Sequence, residues 1–391
     1  MNSVARDRIE TVTASGRVRR VLDLRDSPWV DGPGRTILDT ASMIDPQRYQ
    51  VVVGAFSGDR HGDHAYLTEA LRRELQTYPI IERRALDMDV LTQIVQWCRS
   101  NAIDLIHTHD FRSDLYGLTA ARRLRIPAVS TCHGWIANDF KGRIYTTVDK
   151  FLLRFFDRII VVSECMGTHL RKKGLPAHKI ALIQNALITE NYRPRREDRR
   201  VQAEWSIPAH HKVVGNIGRL SPEKDQELFL RAAAAYLPED RDVSFVLIGI
   251  GPEEQRLRRL TDDLGIADRV VFAGYRSDMH SVYESLDLVV QSSVTEGMPN
   301  VVLEALLMRV PVVATGVGGT AEILADGKMG RLIPAGDLRA LVDGMREVLT
   351  GSAHVTEWIE TGERHVRTCF SHTARLQRIM GVYDETLREI D

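Results

Sequence analysis

The chain has 391 residues, of which 43% are hydrophobic, and a formal net charge of −1 at pH 7. This length indicates two domains, because single hydrophobic cores usually stop growing near roughly 250 to 300 residues, and the near-neutral charge argues against a nucleic-acid-binding protein. The 4 cysteines are widely spaced without a C-x-x-C pair, which argues against a disulfide framework or a zinc site and favours a cytoplasmic setting.

Short apolar runs alternate with helical patterns along the first half of the chain. The N-terminal residues are polar and lack the apolar segment of a signal peptide, and no later run reaches the roughly 18 apolar residues that a membrane span requires. Runs rich in Val and Ile lie at 21–24, 50–56, 103–109, 127–132, 158–163 and 179–184. Such runs, separated by helices, predict a parallel sheet that is covered on both faces.

A second alternating series follows a charged, proline-containing stretch at 191–200, which we interpret as a linker. Its apolar runs lie at 212–218, 243–249, 269–274, 286–292 and 311–316. We therefore predict an α/β protein with two doubly wound domains, 1–190 and 191–370, followed by a helix at 371–391. The carboxyl ends of the strands in such domains border the ligand cleft.

The segment 296–324 carries the strongest functional pattern of the chain. Pro299 suits the first position of a helix, where its missing N–H costs nothing. The amides of Asn300, Val301 and Val302 then lack partners inside the helix and point outward at the positive end of its dipole. A helix start of this kind binds phosphate groups.

Two glutamates flank this helix start. Glu304 lies one helical turn past it and leans back toward it, where a carboxylate suits a ribose diol. Glu296 precedes the turn and suits a sugar on the other side of the phosphate. Glutamates at this spacing are common by chance, but the intervening Gly-Met-Pro-Asn and the apolar run after it favour a sugar-nucleotide site.

Two cations follow the first strand of the second series, in the motif GRLSPEKD. Arg219 and Lys224 are expected at the carboxyl end of that strand, facing the cleft. There they would stabilise the charge that develops on a departing nucleoside diphosphate. The alternative is an exposed loop with ordinary surface charges, and the position at a strand end favours the functional interpretation.

Three further patterns lie in the first half. His133 closes a strand and precedes a glycine, which favours contact with a ligand over a core histidine. Gly32 and Gly34 let the backbone approach a phosphate or an acceptor closely, although a plain turn explains them equally well, and no G-x-G-x-x-G or P-loop motif occurs. The histidines at 107–110 have no carboxylate or cysteine set at ligand spacing, so we expect no metal.

The segment 150–159 is apolar with interleaved basic residues. It suits a surface that rests on a membrane or on a lipid-linked acceptor. Helices of this composition are more often packed between a sheet and a cleft, and we favour that interpretation. Peripheral membrane association is kept as the alternative.

Together, GRLSPEKD, EGMPNVVLEA and GGTAEIL resemble the retaining glycosyltransferases of family 4, and DGPG, STCHG and VVSE extend the resemblance more weakly along the chain. The resemblance implies a GT-B fold, in which two Rossmann-like domains face a central cleft and the last helix crosses back to the first domain. It implies that Arg219 and Lys224 contact the diphosphate, Glu304 the ribose and Arg276 the region of the base. It also implies that Glu296 contacts the transferred sugar, with His133 and the backbone of Gly297, Met298 and Pro299 close to that sugar.

The resemblance further implies hexosyl transfer from a sugar nucleotide, with a UDP-sugar as first choice, to a glycan or lipid-linked acceptor. With it we expect that the anomeric configuration is retained and that the enzyme needs no metal and no cofactor. We also expect a cytoplasmic location, at the inner face of the membrane if lipid is bound. Two alternatives stay open: a sugar-nucleotide epimerase of the same fold, and a catalytically silent binding subunit. The chain departs from the family at Pro33 and at Asn185, which Ala-Leu-Ile follows where members have Gly-Val-Asp.

Overall fold

The computed structural model describes residues 17–58, 64–83, 87–135, 140–194 and 199–389. The polar N-terminal stretch up to residue 16 and residues 195–198 of the linker therefore lie outside the described part. Within it, two parallel sheets are formed, one on each side of the linker. This arrangement confirms the predicted two-domain α/β architecture.

The first sheet has the strand order β3-β2-β1-β4-β5-β6-β7 among the described residues. Its strands are β1 (Arg19–Arg25), β2 (Tyr49–Ser57), β3 (Gln76–Ile81), β4 (Leu105–Thr108), β5 (Ala128–Cys132), β6 (Arg158–Val161) and β7 (Ile180–Leu182). The accompanying helices are α1 (Gly32–Met43), α2 (Ala65–Arg72), α3 (Met88–Ser100), α4 (Phe111–Leu124), α5 (Phe140–Leu152) and α6 (Glu164–Lys172). The strand order reverses between β1 and β4, which is where open α/β sheets bind ligands.

The second sheet has the order β10-β9-β8-β11-β12-β13 in the described part of the chain. Its strands are β8 (Lys212–Ile217), β9 (Val243–Ile248), β10 (Val270–Gly274), β11 (Leu288–Gln291), β12 (Val312–Thr315) and β13 (Arg331–Ile333). Its helices are α7 (Arg200–Glu204), α8 (Gln226–Tyr236), α9 (Glu254–Asp263), α10 (Met279–Glu284), α11 (Asn300–Leu307), α12 (Thr320–Ile323), α13 (Leu338–Leu349) and α14 (Ala353–Cys369).

Polar caps begin several helices directly after the strands that border the cleft. At the start of α1, Asp31 accepts a hydrogen bond from the Gly34 amide at 2.9 Å. Asp110 and Ser113 form a reciprocal capping box at the start of α4. Such caps satisfy amides that have no partner inside the helix, so each strand passes into its helix through a fixed turn.

The last helix, α15 (His372–Arg388), packs against the first sheet although it follows the second domain. Its apolar contacts with that sheet come from Leu376, Ile379, Val382, Tyr383 and Leu387. Polar contacts join them: Arg375 donates to Thr40 Oγ1 at 2.6 Å, and the Tyr49 hydroxyl donates to Asp384 at 2.6 Å. The helix therefore ties the end of the chain to α1 and β2.

The segment 150–159 differs from the packed helix that we favoured. α5 ends at Leu152, and a short 3-10 turn precedes β6. Phe156 is fully buried, but Phe151 and Phe155 are 58% and 49% exposed. The interpretation as a packed helix is therefore wrong for the side of the segment that carries Phe151 and Phe155. None of the helices in the described part of the chain has the length and apolar character to cross a bilayer.

Candidate active site

The loop before α11 meets the first domain across the cleft. The side-chain amide of Asn300 donates to Gly32 O at 3.2 Å and to Thr36 Oγ1 at 3.3 Å. Asn185 Nδ2 donates to Met298 O at 2.9 Å and to Asn300 Oδ1 at 3.1 Å. Polar groups of both domains thus hold the Gly-Met-Pro-Asn turn, and the backbone of Gly32 lies beside it.

Glycines let the backbones approach each other at this turn. A Cβ atom on Gly297 would lie 1.8 Å from the carbonyl oxygen of His133, and one on Gly318 would lie 2.1 Å from that of Glu296. Gly318 also has a φ of 57°, which favours glycine. The Gly319 amide donates to Gly297 O at 2.7 Å. A larger residue at 297 would push His133 and the turn apart, and one at 318 would displace the backbone of Glu296.

Lys224 and Glu296 form an ion pair beside the turn. Lys224 Nζ lies 2.6 Å from Glu296 Oε1. Glu296 also accepts hydrogen bonds from Gln291 Nε2 at 3.2 Å and from Ser293 Oγ at 2.7 Å, and its side chain is 9% exposed. The ammonium group has three N–H donors, so Lys224 keeps donors for an anionic ligand while it is paired.

Arg219 is an exposed cation at the end of β8. Its guanidinium makes no hydrogen bond or ion pair with any residue that the structure describes, whereas its carbonyl oxygen accepts from Gln226 Nε2 at 2.8 Å. The backbone of this residue is therefore fixed and its five side-chain donors are available. Lys224 lies close by, since its Cε is 3.8 Å from the Cβ position of Gly218.

The start of α11 provides fewer free amides than we expected. The helix begins at Asn300, one position later than predicted, and Pro299 is the cap residue with φ −75° and ψ 111°. The Val302 amide donates to Pro299 O at 3.2 Å. The expectation of three free amides is wrong for Val302. The amides of Asn300 and Val301 have no acceptor among the described residues, so two remain for an anion.

Glu304 is buried and already hydrogen bonded. Its carboxylate accepts from Arg35 Nη1 at 2.7 Å, from the Tyr192 hydroxyl at 3.1 Å and from the Tyr283 hydroxyl at 2.8 Å. The Glu304 carboxylate also raises the pKa of Arg35 above its usual value. A carboxylate has about four acceptor positions, so a ribose hydroxyl would take the remaining one or replace Arg35.

Arg35, Tyr192 and Tyr283 were missed by the sequence analysis. Arg35 lies in the first turn of α1, where a cation is unfavourable because the helix dipole is positive there. A cation at this unfavourable position was the one sign in the sequence that Arg35 has a carboxylate partner. The two tyrosines carry no comparable signal in the sequence.

His133 is stacked against a second histidine. The His133 Nε2 and His109 Nδ1 atoms are 3.0 Å apart, and His109 Nε2 lies 2.9 Å from Asp23 Oδ1. Burial lowers the pKa of both imidazoles well below the ordinary value. His133 is therefore neutral at pH 7 and acts as a hydrogen-bonding group rather than as a cation. Its Nδ1 is buried and has no partner in the described residues.

The sheet brings a carboxylate to the histidine motif that the spacing along the chain could not show. Asp23 of β1 pairs in register with His107 of β4, and the polar atoms of Asp23, His107 and His109 lie within 4.8 Å of one another. Burial raises the pKa of Asp23 to about 6. The two His107 nitrogens contact Tyr383 OH at 2.8 Å and Thr131 Oγ1 at 2.7 Å. The imidazole of His107 is thus already engaged by hydroxyl groups.

Gly34 and Arg276 contact neighbouring charges instead of an open cleft. A Cβ on Gly34 would lie 2.0 Å from Arg25 Nη1, so this glycine makes room for an arginine. Arg276 precedes α10 and donates to Asp278 Oδ2 at 2.6 Å and to Glu204 Oε2 at 3.1 Å. A base near Arg276 would have to share it with two carboxylates.

Two family models match the chain, one on each domain. Residues 30–191 match the model described as Glycosyltransferase Family 4, and residues 197–365 match the model described as Glycosyl transferases group 1. The chain belongs to glycosyltransferase family 4. The two matched ranges contain the first-domain residues Gly32 and His133 and the second-domain segment 296–324.

Curated relatives of this family-4 chain are glycosyltransferases with different names. The D-inositol 3-phosphate glycosyltransferase of Mycolicibacterium smegmatis is 31% identical over 264 residues, which are 63% of this chain and 59% of that protein. The lipopolysaccharide core biosynthesis mannosyltransferase LpsB of Rhizobium meliloti is 28% identical over 253 residues, 63% of this chain and 70% of that protein. This chain thus spans less than two thirds of the first relative.

Solved structures share the fold at lower identity. HepE of Anabaena in complex with UDP-glucose superposes with a TM-score of 0.83 at 23% identity, covering 94% of this chain and 99% of that one. Sucrose-phosphate synthase from Thermosynechococcus elongatus gives a TM-score of 0.81 at 19% identity, covering 95% and 100%. These superpositions confirm the predicted GT-B fold of the family-4 chain.

Proposed function

We propose that this protein transfers a hexosyl unit from a nucleoside diphosphate sugar, first of all a UDP-sugar, to a hydroxyl group of a glycan or lipid-linked acceptor with retained anomeric configuration. The observation that carries the proposal is the Lys224–Glu296 ion pair at 2.6 Å beside the free amides of Asn300 and Val301. It combines an anion-binding group with a carboxylate that accepts hydrogen bonds from sugar hydroxyls. The UDP-glucose bound to HepE supports a UDP-sugar donor.

In the proposed reaction, the bond between the anomeric carbon and the diphosphate oxygen breaks, and the acceptor oxygen bonds to the same face of that carbon. The acceptor proton passes to the departing phosphate oxygen, so no separate base is required. Arg219, Lys224 and the two amides stabilise the charge on the diphosphate. These groups supply the positive charge that a metal ion supplies in other transferases, which is why we propose a metal-independent enzyme.

Glu296 is better suited to hold sugar hydroxyls than to form a covalent intermediate. Lys224, Gln291 and Ser293 all donate to its Oε1 atom, whereas Oε2 has no partner among the described residues. These donors disperse the negative charge that a nucleophile needs. His133, which is neutral, supplies a hydrogen bond close to the donor sugar rather than charge.

The acceptor is proposed to be part of a cell-surface polysaccharide or glycoconjugate. LpsB acts in the synthesis of the lipopolysaccharide core, a lipid-linked saccharide, which supports an acceptor of that class. We place the enzyme in the cytoplasm, at the inner face of the membrane when its acceptor carries lipid.

Incubation of the protein with a panel of UDP- and GDP-sugars and candidate saccharide acceptors tests the function. We expect release of the nucleoside diphosphate only with a matching acceptor, and NMR of the product should show the donor's anomeric configuration. An inverted linkage contradicts the scheme. Epimerised sugar formed from the donor alone would support an epimerase instead, and donor binding without any turnover would support a silent binding subunit.

A further inference from the structure

The solvent side of α5 and of the turn after it carries large apolar side chains. Ile144, Val148, Phe151 and Phe155 are 46%, 39%, 58% and 49% exposed. The first three are spaced four and three residues apart and lie on one face of α5, and Phe155 follows in the 3-10 turn. The rings of Phe151 and Phe155 contact each other with centroids 5.3 Å apart. The result is a continuous apolar strip rather than scattered single side chains.

The orientation of this strip is fixed by contacts on the opposite side of the same segment. Leu153 and Phe156 are fully buried in the first-domain core. Asp149 accepts a hydrogen bond from Trp135 Nε1 at 2.8 Å, and Trp135 closely follows β5 at the border of the cleft. The segment cannot rotate its apolar strip inward without losing these contacts. The exposed face is therefore a property of the folded domain.

Four cations lie near the carboxyl end of the strip: Arg154, Lys172, Lys173 and Lys179. None of them forms an ion pair with a carboxylate in the described part of the chain. Backbone contacts hold them together, since Arg154 Nη2 donates to Lys173 O at 2.7 Å and Lys179 Nζ donates to Arg154 O at 3.1 Å. A local positive patch thus lies beside the strip in a chain whose net charge is only −1.

We propose that the α5 face, defined as Ile144, Val148, Phe151 and Phe155 with these four cations, docks on a membrane surface that contains anionic phospholipid. Apolar side chains of such a face enter the boundary between headgroups and acyl chains, while the cations meet the negative headgroups. The inference rests on the proposed function and assigns its acceptor side: α5 lies next to the His133–Trp135 border of the cleft, so docking brings that border to the lipid surface.

A second copy of this chain is a poorer occupant of the α5 face. In a two-fold symmetric dimer the same patch would face itself, and its unpaired cations would be brought close together. Like charges across an interface oppose association. An anionic lipid surface covers the apolar strip and neutralises the cations at the same time.

Co-sedimentation of the full chain with vesicles tests the proposal. We expect binding to vesicles of phosphatidylcholine mixed with phosphatidylglycerol, and much weaker binding to phosphatidylcholine alone. Phe151→Ser with Phe155→Ser should lower partitioning on the order of tenfold or more. Lys172→Gln with Lys173→Gln should also lower it, and added salt should weaken wild-type binding because it screens the cations.

Matched controls remove two apolar or two basic side chains at exposed sites elsewhere. Leu71 and Met88 are 61% and 62% exposed on other helices, and Leu71→Ser with Met88→Ser should leave partitioning unchanged. Lys328→Gln with Arg339→Gln removes two exposed charges from the second domain and should also have no effect. Equal binding by the wild type and the α5 variants overturns the proposal.

Two further results would also overturn it. One is an absence of wild-type binding to the anionic vesicles, and the other is a dimer in light scattering that the two serine substitutions dissociate. The thermal shift with UDP or GDP is measured on the same variants and should not change. Vesicle binding without any response to UDP or GDP would refute the proposed function and leave the docking face in place.

Discussion

Lys224 Nζ lies 2.6 Å from Glu296 Oε1, although 72 positions separate the two residues in the chain. The loop after β8 brings the cation and the loop after β11 brings the carboxylate. Adjacent parallel strands end at the same edge of a sheet, so β8 and β11, which are neighbours, present both groups to the cleft. The pair joins the two motifs on which the proposed donor site depends.

Replacing Lys224 with alanine should lower kcat/KM for sugar transfer by about 10²- to 10³-fold, the range found when one group that stabilises developing negative charge is removed. The loss should fall mainly on kcat if Lys224 acts on the departing diphosphate. Steady-state kinetics measure both constants. Lys328→Ala, which removes an exposed lysine of the same domain, is the control and should behave as wild type.

Gly297→Ala should reduce transfer at least about tenfold while the protein stays folded, since a shift of even 1 Å at a reacting centre can cost more than that. The added methyl group would lie 1.8 Å from His133 O, so the turn and the first domain have to separate. Activity is compared with that of Gly381→Ala, whose added methyl group meets nothing within 4 Å. Unchanged activity in Gly297→Ala would contradict the close contact across the cleft.

The Arg35–Glu304 ion pair should contribute to stability. A double-mutant cycle with Arg35→Ala and Glu304→Ala is expected to give a coupling free energy of about 1 kcal/mol, because Glu304 is buried whereas Arg35 is partly exposed to screening solvent. Urea unfolding supplies the four free energies. The exposed Glu69–Arg72 pair on α2 is the comparison and should couple less strongly. Zero coupling for Arg35 and Glu304 would show that their contact does not stabilise the protein.

The buried histidines should make the protein less stable as the pH falls below about 6.5. Burial lowers the pKa of His107 to about 3 and those of His109 and His133 well below the ordinary value. The unfolded chain takes up protons at these imidazoles that the folded protein does not, so each costs about 1.4 kcal/mol of stability per pH unit once the unfolded imidazole is protonated.

The carboxyl group of Asp23 has the opposite effect on the pH dependence of stability, and it acts over a lower pH range. Burial raises its pKa from 3.8 to about 6, so between these values the folded protein binds a proton that the unfolded chain lacks. Its contribution to stability is present below 3.8 and is lost as the pH rises through about 6. Unfolding free energies at a series of pH values should therefore begin to fall as the pH drops through about 6.5 and continue to fall below it, because three histidines outweigh one carboxyl group. A flat profile near pH 6 would contradict the neutral histidines.

The sequence predicted those parts of the fold whose signal is local. Fully buried strands such as β11 stand out as apolar runs, and the motifs that carry Lys224 and Glu296 lie directly after such strands. β3 and β13 were missed. Both are edge strands, and β3 contains Pro79, which an edge strand tolerates but which weakens the strand pattern.

The parts of the site that depend on contacts between distant segments could not be predicted. Arg35 reaches Glu304 only because the start of α1 faces α11 across the cleft. Asp23 approaches His107 only through the pairing of β1 with β4. No spacing along the chain records either contact. The start of α11 at Asn300 instead of Pro299 has a different cause. Pro299 is a cap residue because its ψ of 111° is not helical, and the sequence does not determine this angle.

A crystal structure of the protein with UDP bound tests the central claim most directly. We predict that the diphosphate oxygens lie within about 3 Å of Lys224 Nζ and of the amides of Asn300 and Val301, with the Arg219 guanidinium turned toward them. The ribose should contact Glu304. A diphosphate bound elsewhere, with Lys224 and these amides facing solvent, would contradict the account.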